Sequence, residues 1–187
     1  MKYLLLIITL LLSSPSWGET VSSVDVVINP TDGLVYKKFT TEPFTGSFMD
    51  LDILLKGSYK KGRAHGVWAR FYENGLVLTK TNFKDGIKDG FWEEYYDNGQ
   101  LKERITYKDG IEDGPCEKYY DNGQLRELGT YKYNKKHGIF ENYYKTGQLK
   151  ERITYKDGKR SGLFQYFGKD GTIKSSATYK NGVKVTD

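Results

Sequence analysis

At 187 residues the chain has room for one domain or a short array of repeats. Its 16 Tyr, 9 Phe and 3 Trp favour strands, and its 21 Gly supply the positive φ angles of tight turns, so the composition points to many short strands. The formal net charge of +5 arises from 29 basic and 24 acidic residues that are closely interleaved, which describes a solvated strand face and speaks against the single basic stripe of a nucleic-acid binder.

The first residues in chain order stand outside the fold. Lys2 is a short positive region, Tyr3 to Leu12 an unbroken apolar run, and Ser13 to Gly18 a small-residue segment interrupted by Pro15. Ser16 and Gly18 occupy the two positions a signal peptidase reads. Residues 1–18 are therefore predicted to be a signal peptide cleaved before Glu19, with the chain exported to the periplasm or secreted. The apolar run falls short of the ~20 residues that span a bilayer. Cys116 is the sole cysteine, so an exported chain makes no internal disulfide and depends on packing and hydrogen bonds.

Residues 19–57 are irregular. Val24 to Ile28 reads as a strand, Asp32-Gly33 as a turn, Leu34 to Phe39 as a second strand, and Phe44 to Phe48 as the start of a shortened unit. This stretch is read as an N-terminal cap plus a degenerate first repeat, which an open array needs to cover its unpaired edge.

Residues 58–187 carry the repeat. Gly66, Gly90, Gly114, Gly138 and Gly162 stand 24 apart, and so do Gly75, Gly99, Gly123, Gly147 and Gly171. Tyr59, Phe83, Tyr107, Tyr131, Tyr155 and Tyr179 follow the same period. Gln100 to Gly110 recurs unchanged from Gln148 to Gly158. Three ladders in one register define a 24-residue unit. Asn98-Gly99 and Asn122-Gly123 suit a two-residue type I′ loop, in which both central residues take positive φ. Asp85-Gly86, Asp109-Gly110 and Asp157-Gly158 mark the second turn of each unit. Each unit is thus a β-hairpin, and the fold class is all-β: an open single-sheet array of about ten to twelve antiparallel strands.

Because side chains alternate with period two and the unit length is even, every unit presents the same face the same way. With two-residue loops, Trp92, Tyr96, Leu101, Ile105 and Tyr107 share a core-like face, whereas a three-residue loop with a bulge at Gly99 would swap part of that face. Phe91, Tyr95, Gln100, Lys102, Arg104 and Thr106 share the solvated one, with Glu93 across from Arg104 and Glu141 across from Arg152.

Tyr-Tyr-Asp-Asn-Gly-Gln-Leu-Lys (95–102), followed by Tyr-Lys-Asp-Gly (107–110) and Gly114, resembles the MORN-variant repeat of bacterial proteins, many of them labelled YwqK-family antitoxins. Asp-Gly-Leu-Val-Tyr (32–36) and Pro-Phe-Thr-Gly (43–46) are similar to the segment preceding the first repeat in that family. The resemblance implies a hairpin-repeat scaffold and, through the label, a toxin-neutralising role. The N-terminal apolar segment departs from what neutralising a cytoplasmic toxin requires.

No catalytic constellation accompanies the repeat. His65 and His137 precede Gly66 and Gly138 at a turn position that sister units fill with Asp89, Asp113 and Ser161. Cys116 takes the place of Trp68, Trp92, Phe140 and Phe164, a small apolar role. Glu103, Glu127 and Glu151 repeat in like environments, without the unlike carboxylate pair of a glycosidase or the dense oxygen loop of a calcium site. No cofactor or metal is expected, and no enzyme activity. The aromatic ladder Trp68, Tyr72, Trp92, Tyr96, Tyr120, Phe140, Tyr144 and Phe164 is the candidate binding feature, with stacking between units as its alternative role. The expected partner is another protein, a cell-wall glycan is the second candidate, and association with a membrane surface is a weaker third.

Overall fold

The computed structural model describes residues 18–185, in which strands and turns alternate and no helix occurs. Residues 1–17 of the signal-peptide assignment lie outside the described residues. The chain divides into two compact units. One comprises residues up to Gly90 with the turn Asp97–Gly99, the other Phe91–Tyr96 with Gln100 onward.

The first unit holds β1 (Thr20–Val21), β2 (Val26–Ile28), β3 (Val35–Lys37), β4 (Gly46–Asp50), β5 (Leu55–Lys60), β6 (Arg63–Ala64), β7 (Gly66–Phe71), β8 (Val77–Lys84) and the start of β9 (Ile87–Tyr95). Its sheet runs β1-β4-β5-β7-β8, while β2 and β3 form a separate two-stranded sheet. The expected strands around Val24–Ile28 and Leu34–Phe39 are present in shortened form. β1 was not legible, because two residues show no alternation. It pairs parallel with β4, Thr20 beside Ser47 and Val21 beside Phe48. This places Val21 in a small core with Phe44 and Phe48, against which Tyr59 and Trp68 pack.

The second unit continues β9 and adds β10 (Leu101–Lys108), β11 (Ile111–Tyr119), β12 (Leu125–Lys132), β13 (Lys135–Lys136), β14 (Gly138–Tyr143), β15 (Leu149–Lys156), β16 (Lys159–Phe167), β17 (Ile173–Lys180) and β18 (Val183–Val185). Its strands neighbour one another in sequence order, with β13 a short outlier paired to β12. Eighteen strand segments among the described residues exceed the expected ten to twelve for two reasons. The N-terminal region contributes several short pieces, and the strands bearing His65 and His137 are broken at those residues, where sister strands run through.

Of the two turn types, only the Asp-Gly one forms the two-residue loop. Asp109 and Gly110 both take positive φ, 50° and 84°, and close a two-residue type I′ loop with Lys108 beside Ile111. Asn122 is absent from the residues with positive φ; Gly123 alone provides it, at 81°. The Gly123 N–H donates to the Tyr120 carbonyl (2.9 Å) and the Tyr120 N–H to that of Gln124 (2.8 Å), giving a three-residue loop with a glycine bulge. Further from the loop the expected register returns: Lys118 faces Glu127 and Cys116 faces Gly129, although Tyr119 faces Leu125. Arg126 is the extra residue that reconciles the two registers. Lys150 plays the same part between Asn142–Glu151 and Tyr143–Leu149.

The best-buried point of the second unit is Phe140, with no exposed surface, beside Cys116 at 1%. Tyr131 and Tyr155 meet the Phe140 ring edge-on at centroid distances of 5.8 and 5.3 Å. A Cβ on Gly129 would collide with that ring, so the missing side chain is what admits it. The ammonium of Lys136 sits 4.3 Å above the same ring. Phe140→Ala is expected to cost about 3–5 kcal/mol, and Gly129→Val to destabilise by displacing the ring. Both changes would lower the urea midpoint followed by tryptophan fluorescence. A midpoint shift no larger than that of exposed Leu163→Ala would contradict this packing.

Candidate functional site

The aromatic ladder named from the sequence separates into two columns. In the first, Trp68 of the first unit packs against Phe48, Tyr59 and Phe83, with centroids 5.4, 5.0 and 6.4 Å away. Phe140 and Phe164 of the second unit meet the interleaved tyrosine ladder, Phe164 at 6.2 Å from Tyr179. Trp92 is half-buried in the same column.

The second column, Tyr72, Tyr96, Tyr120 and Tyr144, is half-buried at the loop edge. Three of its hydroxyls donate to backbone carbonyls 23 residues ahead: Tyr96 to Tyr119, Tyr120 to Tyr143 and Tyr144 to Phe167, at 2.8 to 2.9 Å. Asparagine side chains run parallel to them. Asn122 Oδ1 accepts from the Gln124 N–H, and its Nδ2 donates to the Lys145 carbonyl at 3.1 Å. The Asn of the Asn-Gly pair thus braces its own loop through Oδ1 and ties neighbouring repeats through Nδ2, while the Gly supplies the positive φ. At the opposite edge, the N–H of the second turn residue donates to a carbonyl 22 residues back, Asn134 to Glu112 and Gly158 to Lys136.

The solvated face carries an ordered ionic ladder. Arg104 donates to Glu93 at 2.9 Å and to Glu117 at 3.3 Å, as the sequence pairing of Glu93 with Arg104 anticipated. Arg152 donates to Glu141 at 2.8 Å in the directly opposed pair. Tyrosine hydroxyls complete the set, Tyr95 on Glu93, Tyr119 on Glu117 and Tyr143 on Glu141. Lys102 departs from its assigned face, because its Nζ reaches Glu94 at 2.8 Å and stands over the Tyr96 ring. Its counterparts Arg126 and Lys150 are the bulged residues, and a bulge re-aims a side chain.

One exposed apolar column was anticipated from the sequence only at Phe91, on the solvated face. Phe91, Ile139 and Leu163 follow the Gly90, Gly138 and Gly162 positions, stand on the solvated face, and are 49%, 56% and 47% exposed. Pro115 is their exposed counterpart after Gly114. The 24-residue spacing of these apolar residues is itself the signal that could have found them. Arg104 lies over the Phe91 ring at 5.4 Å, joining the column to the ionic ladder.

The groups with reactive potential are held in structural settings. Burial pushes the Cys116 thiol up to about 12, with Glu127 acting in the same direction. His65 Nδ1 stands 3.5 Å from Asp85 and His137 Nδ1 3.7 Å from Asp157, each facing a turn carboxylate of the next hairpin. Among the described residues no group of three or more His, Cys, Asp and Glu is placed to hold a metal.

Glu141 is held below its ordinary 4.5 by the Tyr143 hydroxyl first and, against the opposing effect of burial, by Arg152. A carboxylate with a lowered folded pKa contributes stability above its unfolded value and loses it as pH falls through the folded one. The thermal midpoint should therefore drop as pH falls below 4.5, and Glu141→Gln should flatten that part of the profile. Equal slopes for the two proteins would contradict the role assigned to the pair.

Comparison with known families returns the profile described as MORN repeat variant on residues 64–85, 88–109, 112–133, 136–157 and 160–181, together more than half of the chain. No curated protein matches the chain.

Proposed function

The chain belongs to the MORN repeat variant family, whose repeats mediate protein or membrane binding, and on that premise we propose that it is an exported, non-catalytic scaffold that binds another protein in the cell envelope or outside the cell. The exposed column Phe91, Pro115, Ile139 and Leu163 carries this reading. Apolar side chains repeated at one surface position and bordered by ordered charges fit an interface with an apolar centre and a polar rim. The tyrosines Tyr96, Tyr120 and Tyr144, by contrast, are tied to the neighbouring repeat through their hydroxyls.

A second reading, binding of a cell-wall glycan, draws on a polar cleft of about 350 Å³ in the second unit. Tyr120, Tyr143, Lys118, Arg126, Glu127 and Glu151 are among its lining residues, so that rings and hydrogen-bonding groups stand together. The toxin-neutralising role of labelled relatives needs a cytoplasmic chain that keeps Met1, whereas export predicts a mature chain beginning at Glu19.

Chemical cross-linking in intact cells, followed by mass spectrometry of the purified chain, tests the proposal. The wild type should capture a defined protein outside the cytoplasm through peptides of β9, β14 or β16, and the triple variant Phe91→Ser, Ile139→Ser, Leu163→Ser should lose it while keeping its melting temperature. Retention on purified peptidoglycan that is unchanged in the triple variant, with no protein captured, would replace this reading by the glycan one.

A further inference from the structure

One row of side chains crosses the solvated face of each unit, and the row of the first unit contains no carboxylate. In the second unit it runs Arg104, Glu117, Leu128, Glu141, Arg152, Gln165, each residue directly beside the next. In the first unit the equivalent row is Met49, Lys56, Ala69, Lys80. Ala69 occupies the position of Glu93, Glu117 and Glu141, and Phe71 that of Tyr95, Tyr119 and Tyr143. Both the carboxylate and the hydroxyl that orders it are therefore absent here, as they are in the last repeat with Gln165 and Phe167. Of the two places, only Ala69 has a cation beside it on both neighbouring strands, where Gln165 has Arg152 on one side and Ser176 on the other.

A cavity of about 510 Å³ opens there, within the ~300–1,000 Å³ typical of small-molecule sites. Val67, Ala69, Phe71 and Val77 contribute to its largely apolar wall, Lys56, Lys60 and Lys80 also line it, and no Asp or Glu does. An apolar hollow bordered by ammonium groups suits a ligand with a hydrocarbon body and one anionic head.

We infer that this cavity binds an alkyl carboxylate of fatty-acid type. Its head lies over Ala69, between the Lys56 and Lys80 strands, where three sister repeats carry a glutamate of their own. Its chain covers Val67, Phe71 and Val77. Neither lysine has to be idle for this, since Arg104 serves Glu93 and Glu117 at once. The site lies wholly in the first unit, where Val67 stands at the position that Phe91, Ile139 and Leu163 hold in the second.

The test is calorimetric titration of the full chain with dodecanoate below its micelle concentration. Saturable binding at one site is expected, with dodecanol weaker by about tenfold or more for want of the charge-assisted contact. Ala69→Glu restores the residue that sister repeats accommodate, so it should keep the melting temperature and lose dodecanoate binding by about tenfold or more. Lys56→Gln should weaken dodecanoate and leave dodecanol unchanged. Absence of saturable binding, equal affinity for the alcohol, or unaltered binding by a folded Ala69→Glu protein would each overturn the assignment.

Discussion

Aromatic rings set crosswise on neighbouring strands, at a spacing the chain repeats without change, are the contact on which the second unit depends. A strand pair alone leaves its apolar face open to water, and an even repeat length returns each ring to the same face. The Phe140 column and the Tyr131–Tyr155 column interleave there so that each ring covers its neighbours edge-on. Each such pair adds about 0.5–1.5 kcal/mol beyond the area it buries. Local volume is balanced within the column: Cys116 and Gly129 are small where Phe140 is large. Trp68 fits over Gly57 in the first unit by the same device.

Stacking holds the middle of each strand, and hydrogen bonds one repeat long hold its ends. Tyrosine hydroxyls and an asparagine amide reach forward across the glycine-bulge loops, and turn N–H groups reach back at the type I′ edge. Donors that would otherwise face water or remain unpaired are thereby satisfied by the next hairpin. Contacts of this range make stability a sum over neighbouring repeats, with the terminal hairpins the least supported. β18 shows the consequence, since all three of its residues are exposed.

Periodicity made much of this legible before any coordinates. The three ladders gave the unit, its hairpin character, the opposed Glu141–Arg152 pair and the small buried role of Cys116. Turn chemistry was misassigned because Asn-Gly satisfies two loop types equally well as a dipeptide. The Thr146-Gly147 and Asp170-Gly171 loops close with the same hydrogen bonds, so the choice does not rest on the Asn and the dipeptide alone could not reveal it. The bulges at Arg126 and Lys150 follow from that choice, and so does the changed aim of Lys102. β1 and the parallel pairing of Val21 were invisible for a different reason, because two residues carry no pattern and their register comes from the Phe44–Phe48 core. The exposed Phe91 column is present in the sequence as a 24-residue spacing of unlike apolar residues, Phe, Pro, Ile and Leu, whose exposure depends on the strands around them.

The division of labour between faces follows. Rings on one face build the array with Lys118, Glu127 and Lys136 paired among them, whereas the other face carries the arginine–glutamate ladder, exposed apolar residues and, in the first unit, a hollow where a glutamate is replaced. Hydroxyl-radical footprinting of the native protein, read ring by ring by mass spectrometry, tests that division directly. Phe140 should be protected until the protein unfolds, while Phe91, Tyr133 and Phe39, at 49%, 65% and 105% exposure, should be oxidised rapidly. Oxidation of Phe140 in the folded protein at the rate of Phe91 would show that the aromatic column is an open surface rather than the interior of the array.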